Sequence, residues 1–459
     1  MIRQARLVVA GGGPAGIMAA VEGSRRGLAV TLVDENASMG GQFFRGRQAS
    51  TSPGSPRYLA ASAPDVQTLA GTLICDAPAD GRLAVWSESR GVEEIPYDFL
   101  VIATGAYDRT VAIPGWTLPG VLTAGASHTL AKVHGLTLGR RAVVAGAGPF
   151  LLPVADVLAA HGSRVTVVEA TRFRSSLSGL IELAGDPAVL MQAAGYTVRL
   201  TARRASRRYG RMVTAIHGRD RVEGVTIHRV DSIWRPIAGS QVTLEADTVS
   251  IGFGFVPQLD LAQLVGCDIR YRADSSDFAV VTDRGMRTSR RHTYAAGEVT
   301  GVGGVRVGVV EGQIAGLSAA FDAGLVETAQ YASSLRDLCR RLRPRARIAE
   351  WIRTTYRPRQ GLWGLAQPST VMCRCEDVTI AGAAAVLEVT AATPIALKTA
   401  TRAGMGLCMG HICGPYITEF LRAHYGFEVP SGTRPWSLRP PIRPVPLGAW
   451  PQRLTGEEP

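Results

Sequence analysis

LVVAGGGPAGIMAAVEGSRRGLAVTLVD, residues 7–34, reads as strand, glycine turn, helix and strand: LVVA, GGGPAG, IMAAVEGSRRG and VTLVD. This is one βαβ unit, and its parallel strands commit the chain to an α/β fold. Gly11, Gly13 and Gly16 keep the G-x-G-x-x-G spacing after a strand and at the opening of a helix, the context that gives the pattern a mechanism. The first glycine permits the turn, the second lets a pyrophosphate approach the backbone, and the third lets helix and strand pack closely. Together with Pro14 and Ala15 they bring the positive end of the helix up to the phosphates. Asp34 closes the second strand, where a carboxylate accepts hydrogen bonds from a ribose hydroxyl.

A second copy follows as RAVVA, GAGPF, LLPVADVLAAHG and VTVVEA, so the chain holds two units of dinucleotide-binding type. Gly146 and Gly148 fit the first two glycines and Glu169 ends the next strand, but Leu151 takes the place of the third glycine. A leucine there is expected to push the helix off the strand, which weakens NADH binding and makes this half a scaffold or the seat of another ligand. Between the copies, YDFLVIATG is a buried strand that ends at Ala103, Thr104 and Gly105. Farther on, HTYAAGEV is another strand that ends at Ala296, Gly297 and Glu298.

These last two segments separate a flavin from a nicotinamide dinucleotide, because Glu298 is placed to reach the ribityl or pyrophosphate region of a flavin. Residues 1–325 resemble the two-dinucleotide-domain flavoproteins typified by glutathione reductase and thioredoxin reductase, and Gly41 and Gln42 in the GGQ after Asp34 fit that resemblance. It implies FAD, or another adenine nucleotide, in the first site. That family usually has Asp at position 298, so Glu298 is a departure. The disulfide-active members need a C-x-x-C pair beside the flavin. No such pair precedes Cys373, so dithiol reduction is excluded.

The chain has 459 residues, enough for about three domains. Its +12 net charge is carried almost wholly by arginine, Lys132 and Lys398 being the two lysines. The arginine clusters at 203–211 and 336–347 lack the interleaved aromatics that stack on bases, so nucleic-acid binding is not expected. No uncharged apolar run reaches the roughly 18 residues that cross a bilayer, and the start enters a strand without a signal peptide. The expected location is cytoplasmic. There Cys75, Cys267 and Cys339 read as buried apolar residues rather than disulfides.

The remaining cysteines group near the C-terminus as VMCRCEDVT and RAGMGLCMGHICGP. Cys373, Cys375, Cys408 and Cys413 lie on two short loops, and Gly404, Gly406, Gly410 and Gly414 free backbone amides to point at the sulfurs. C-x-C with C-x-x-x-x-C suits an iron–sulfur cluster better than the C-x-x-C knuckles of four-cysteine zinc sites. His411 is expected to face solvent. Lys398 and Arg402, just before the second pair, would raise a cluster's reduction potential if they stand near it.

CRCEDVT, the long spacing and the G-x-C-x-x-x-x-C-G-P ending resemble the bacterioferritin-associated-ferredoxin-like [2Fe-2S] domain. With GGGPAG and GAGPFLLPVA, nearly the whole chain resembles the alpha (A) subunits of bacterial FAD-dependent opine and amino-acid dehydrogenase complexes. That group includes the alpha-type subunits of opine oxidases, the corresponding subunit of hydrogen cyanide synthase, and the proline and hydroxyproline dehydrogenase alpha subunits. The resemblance implies a nucleotide-binding domain over 1–110 and 275–325, a second Rossmann-like domain over 111–274, and a helical Arg-rich connector over 326–366. A [2Fe-2S] domain over 367–430 and a proline-rich extended tail over 431–459 complete the chain. It further implies a beta subunit of glycine-oxidase-like amine-oxidase type that removes hydride from a carbon bearing an amine. Flavin mononucleotide would sit at the subunit junction, and an external acceptor such as a quinone would take the electrons. No substrate base or carboxylate clamp is recognisable, so the catalytic residues are unassigned. A self-sufficient NADH:acceptor reductase and a non-catalytic scaffold subunit are the alternatives.

Overall fold

The computed structural model describes residues 4–46, 50–173, 186–430, 432, 436 and 438–449. Strand Arg6–Ala10 runs between Ala29–Val33 and Phe99–Ile102, with Gln67–Leu69 and Thr293–Ala295 at the edges, and every pairing is parallel. Ala10 stands opposite both Val33 and Ile102, so the glycine turn leaves the sheet at its carboxyl edge. Leu7, Val8, Val9 and Ala10 are all buried, as both faces of a parallel sheet must be.

The second sheet repeats this order. Arg141–Gly146 is central, flanked by Arg164–Glu169 and Thr248–Gly252, with Ser206–Tyr209 and Val121–Thr123 outside, again all parallel. Each sheet is accompanied by a three-stranded antiparallel meander, Leu73–Ala79 with Arg82–Ser87 and Gly91–Pro96 in one case, and Arg211–His217 with Gly224–Arg229 and Val242–Glu245 in the other.

Two helices cross at unusually close range. Pro14–Arg25 opens at Gly13, with Pro14 at its first position, where a missing N–H costs nothing. Val305–Asp322 lies on it through Gly312 and Gly316: a Cβ at Gly312 would stand 2.0 Å from the Ala15 carbonyl oxygen, and one at Gly316 would stand 2.4 Å from that of Ala19. The small-residue run in the sequence is therefore a backbone-to-backbone contact that fixes the nucleotide helix in place.

Helix Thr328–Tyr356 carries the second arginine cluster and leads to the short helix Gln360–Trp363. The paired strands Val371–Cys373 and Val378–Thr379 follow, then helices Ile380–Leu387, Pro394–Thr401 and Gly414–Tyr425. Ile442 in the proline-rich segment is buried, and its N–H donates to the Cys75 carbonyl at 2.8 Å, so this stretch lies along the first meander. Residues 431, 433–435, 437 and 450–459 of the expected tail lie outside the described residues. Among those described, no helix is long and apolar enough to cross a membrane.

Gly312→Val is expected to destabilise the fold by about 3 kcal/mol or more, because a backbone carbonyl cannot move aside as a side chain can. Urea denaturation of the two proteins side by side checks this.

Candidate functional site

The first glycine turn is built from contacts that exclude side chains. Gly11 has φ +108°, and a Cβ on it would lie 2.2 Å from the Ala103 carbonyl oxygen. One on Gly16 would lie 1.8 Å from the Gly11 carbonyl oxygen. Gly13 differs: a Cβ there would meet nothing nearer than the Gly41 Cα at 4.0 Å, which leaves the open face a phosphate needs. Gly40 and Gly41 both have positive φ and bring Gln42 over this loop. Gly105 also opens on free space, and Thr104 Oγ1 donates to the Gln258 carbonyl at 2.7 Å. The structure therefore gathers Gly11, Gly13, Pro14, Ala15, Gly16, Gly41, Gln42 and Ala103–Gly105 around the carboxyl edge of one sheet.

Asp34 is buried and heavily engaged. Its Oδ2 accepts from the Gly12 N–H at 2.6 Å, and its Oδ1 accepts from the backbone and side-chain nitrogens of Asn36, each at 2.7 Å. A carboxylate has about four acceptor sites, so about one is left for a ribose hydroxyl. Glu169 repeats the device in the second half, accepting from Gly148 N–H at 3.0 Å and from Thr171 N–H at 2.8 Å. Its additional methylene carries the carboxyl from the middle residue of the glycine triplet to the last one.

Around Gly297, two acids converge. Glu311, on the helix Val305–Asp322, accepts through Oε2 from Gly297 N–H at 2.8 Å and Thr300 Oγ1 at 3.0 Å. Glu298 does not hang free at the sheet edge, because its Oε1 accepts from the Gly304 N–H at 2.7 Å, at the start of that same helix. Burial pushes both carboxyls up to about 7. Glu311 carries no motif that a sequence reading could seize on.

The second glycine turn is occupied by the protein itself. A Cβ on Gly148 would lie 3.8 Å from Cβ and Cγ of Tyr356, the last residue of helix Thr328–Tyr356. The expectation that Leu151 would displace its helix is corrected: its side chain is 2% exposed and lies over Gly252, which has no side chain to oppose it. The helix Leu151–Ala160 begins at the leucine itself, so this residue never has to fill the third-glycine contact that Gly16 makes.

The C-terminal loops bring all four cysteines into contact by pairs. Cys373 hydrogen-bonds with Cys413, Cys413 with Cys408, and Cys408 with Cys375. Among the described residues no three His, Cys, Asp or Glu side chains surround a point as the ligands of a single ion do. The hydrogen bond from Cys413, with backbone N–H groups that include Gly404, holds the Cys373 thiol down at about 6. Cys413 and the Gly410 N–H act likewise on Cys408, at about 5. The Cys413 thiol, facing both, is pushed far up. Cys373 and Cys413 are each 1% exposed, whereas Cys375 faces solvent.

Trp436, from the proline-rich segment, covers these loops. A Cβ on Gly404, Gly410 or Gly414 would lie 2.3, 2.8 or 3.3 Å from the indole, so these glycines form the floor on which it rests. Its Nε1 donates to the Gly404 carbonyl at 3.3 Å, and Lys398 Nζ stands 5.5 Å from its ring. Gly406 instead lets the second loop pass Cys375, whose Cβ is 2.3 Å from where a side chain would begin. Arg402 pairs with Glu376 at 3.0 Å. The expectation that His411 faces solvent is overturned: it is half-buried, with Nε2 2.6 Å from Asp260 Oδ2 and Nδ1 2.5 Å from the Cys408 carbonyl. Cys75 is fully buried and its thiol is pushed up to about 11 by that burial.

Residues 5–333 match the family described as pyridine nucleotide-disulphide oxidoreductase. The alpha-type (A) subunit of opine oxidase from Agrobacterium tumefaciens is 32% identical over 96% of this chain and 90% of its own length. The HcnB subunit of hydrogen cyanide synthase from Pseudomonas aeruginosa is 31% identical over 97% of this chain and 98% of its own. In fold, the L-proline dehydrogenase of P. horikoshii superposes over 98% of this chain and 81% of that one, with a TM-score of 0.67 at 18% identity.

The folded chain keeps a proton on Glu311 that the unfolded chain releases above its ordinary 4.5, so this carboxyl costs stability increasingly as pH rises from 4.5 to about 7. Glu311→Gln mimics the protonated form, since Oε1 is the oxygen left free. Relative to the parent it is expected to gain up to about 3 kcal/mol across that window, at about 1.4 kcal/mol per pH unit, when urea unfolding is followed at pH 4.5 and pH 7.5. Trp436→Ala is expected to speed the reaction of the C-terminal thiols with a disulfide reagent at least tenfold in cofactor-free protein.

Proposed function

We infer the function from a premise that similarity supplies: the chain belongs to the pyridine nucleotide-disulphide oxidoreductase family and is an FAD-dependent oxidoreductase. On that premise it is the electron-transfer subunit of a heteromeric flavin-dependent amine or amino-acid dehydrogenase. Relatives named as subunits of opine oxidase and hydrogen cyanide synthase match it almost end to end, which supports a partner subunit that performs the substrate oxidation. The partner would be a flavin amine oxidase of glycine-oxidase type, with FMN at the junction and a quinone or similar molecule as final acceptor.

The observation that carries the reading is the cysteine group. Four thiols that touch in pairs, two of them poised to lose protons near neutral pH, suit a two-iron group that takes two thiolates per iron. Cys373, Cys375, Cys408 and Cys413 would hold it. A [2Fe-2S] group supplies the ability to pass electrons singly after they arrive in pairs. The backbone amides directed at the sulfurs would stabilise added negative charge, and Trp436 keeps water from the buried side. The nucleotide would be held by the Gly11–Gly16 turn, Asp34 and the Gly41–Gln42 and Ala103–Gly105 segments, with Gly297 and Glu298 completing the site. Hydride from NADH is disfavoured as the electron source, because Tyr356 stands against Gly148.

Anaerobically purified protein is expected to contain flavin, with iron and acid-labile sulfide in equal amounts, and to give a [2Fe-2S] EPR signal on reduction. Zinc in place of iron, or no flavin with or without the partner, would overturn the reading. Cys408→Ser is expected to abolish the signal and lower turnover of the complex at least a hundredfold while the subunits still assemble. Normal turnover would instead favour a scaffold.

A further inference from the structure

Three parts of the chain meet at Asp260. Its Oδ2 accepts from Arg443 Nη1 at 2.6 Å and from Gln258 Nε2 at 3.3 Å, and lies 2.6 Å from His411 Nε2. Gln258 is bound to the first nucleotide loop through its backbone: its N–H donates to the Gly105 carbonyl at 2.9 Å, and its own carbonyl accepts from Thr104 Oγ1 at 2.7 Å. Arg443 reaches back to Glu35, the neighbour of Asp34, at 3.9 Å. On the other side His411 Nδ1 meets the carbonyl of Cys408 at 2.5 Å. Tyr107, which follows the Ala103–Gly105 turn by two residues, sets its ring edge-on to His411 at 5.2 Å.

An unbroken series of short contacts thus runs from the nucleotide loop through Gln258, Asp260 and His411 to a cysteine. Both partners of the imidazole, a carboxylate and a carbonyl, can only accept, so each ring nitrogen carries a proton and donates it. The side chains of His411 and Asp260 are 20% and 16% exposed, and a hydrogen-bonded path shielded from water in this way is stronger than one in solvent.

We propose that Asp260 and His411 are positioning residues that couple the first nucleotide site to the cysteine group, holding the two loops in register and giving a single electron a bonded route between them. The proposal rests on the function inferred above. In each event the reduced flavin loses one electron and the two-iron group gains one. His411 enters and leaves with both protons, and no bond of the relay is made or broken. The second electron follows once the outside acceptor has removed the first, and the flavin's own proton is released to solvent.

The test uses purified full-length holoprotein, with the bound flavin photoreduced using tricine as sacrificial donor and samples freeze-quenched for EPR. In His411→Phe, iron and flavin contents are expected to match the parent, while the reduced-iron signal grows at least tenfold more slowly and the iron midpoint potential falls with the lost positive charge. Asp260→Asn, which can still accept from His411, is expected to retain most of the rate that Asp260→Ala loses. If His411→Phe fails to assemble, His411→Gln serves in its place, since its single amide cannot bridge Cys408 and Asp260. Unchanged rate and potential in these variants would overturn the relay alone. Loss of iron in step with loss of rate would also overturn it, by making the pair purely structural. Parent protein without flavin or without iron would overturn the inferred function and the relay with it.

Discussion

The carbonyl of Ala15 occupies the place where a side chain at Gly312 would begin, and much of the molecule follows from that contact. It presses the helix Val305–Asp322 onto Pro14–Arg25 until backbone meets backbone, so the nucleotide helix has no freedom to slide or roll. The same helix delivers Glu311 to Gly297 and receives Glu298 at its own N-terminus, locking the last strand of the sheet to the first helix. Close approach also determines which residues are tolerated. Glycine at 11, 16, 312 and 316 is dictated by neighbouring carbonyls, whereas Gly13 and Gly105 are dictated by what has to fit beside them.

The two halves solve one problem in two lengths. Asp34 and Glu169 each end the second strand of a βαβ unit, and each carboxyl turns back to satisfy an N–H of the glycine turn. In the first half the turn remains open to a ligand. In the second the neighbouring volume has been filled from within, by Leu151 over Gly252 and by Tyr356 against Gly148. A duplicated nucleotide fold has in this way kept its architecture while one copy became structural support for the helix that leads to the cysteine loops.

The parts of this arrangement that are legible in the sequence are those set by near neighbours. A strand, a glycine spacing and a helix within thirty or so residues reveal the first turn, because sterics among adjacent groups fix it. The pairing of C-x-C with C-x-x-x-x-C is legible for the same reason. The burial of His411 is not legible, because the group that covers it, Asp260, lies 151 residues away and looks like any surface acid at the start of a short helix. Trp436 is hidden within a proline-dense segment, although the three glycines that accommodate it are visible as glycines. Leu151 misleads when weighed by the motif it breaks, since the deciding fact is the glycine at 252 on a neighbouring strand.

Trp436 comes after all four thiols in the chain, and this order has a consequence for how the molecule is made. During synthesis the cysteine loops and their glycine floor emerge first, and the indole that covers them emerges last. The thiols are therefore open-faced for an interval and shut in at its end, so any group they take up from the outside is best delivered before the final segment docks. A chain stopped short of residue 436 would keep the floor and lose the roof, leaving the loops permanently in their nascent condition.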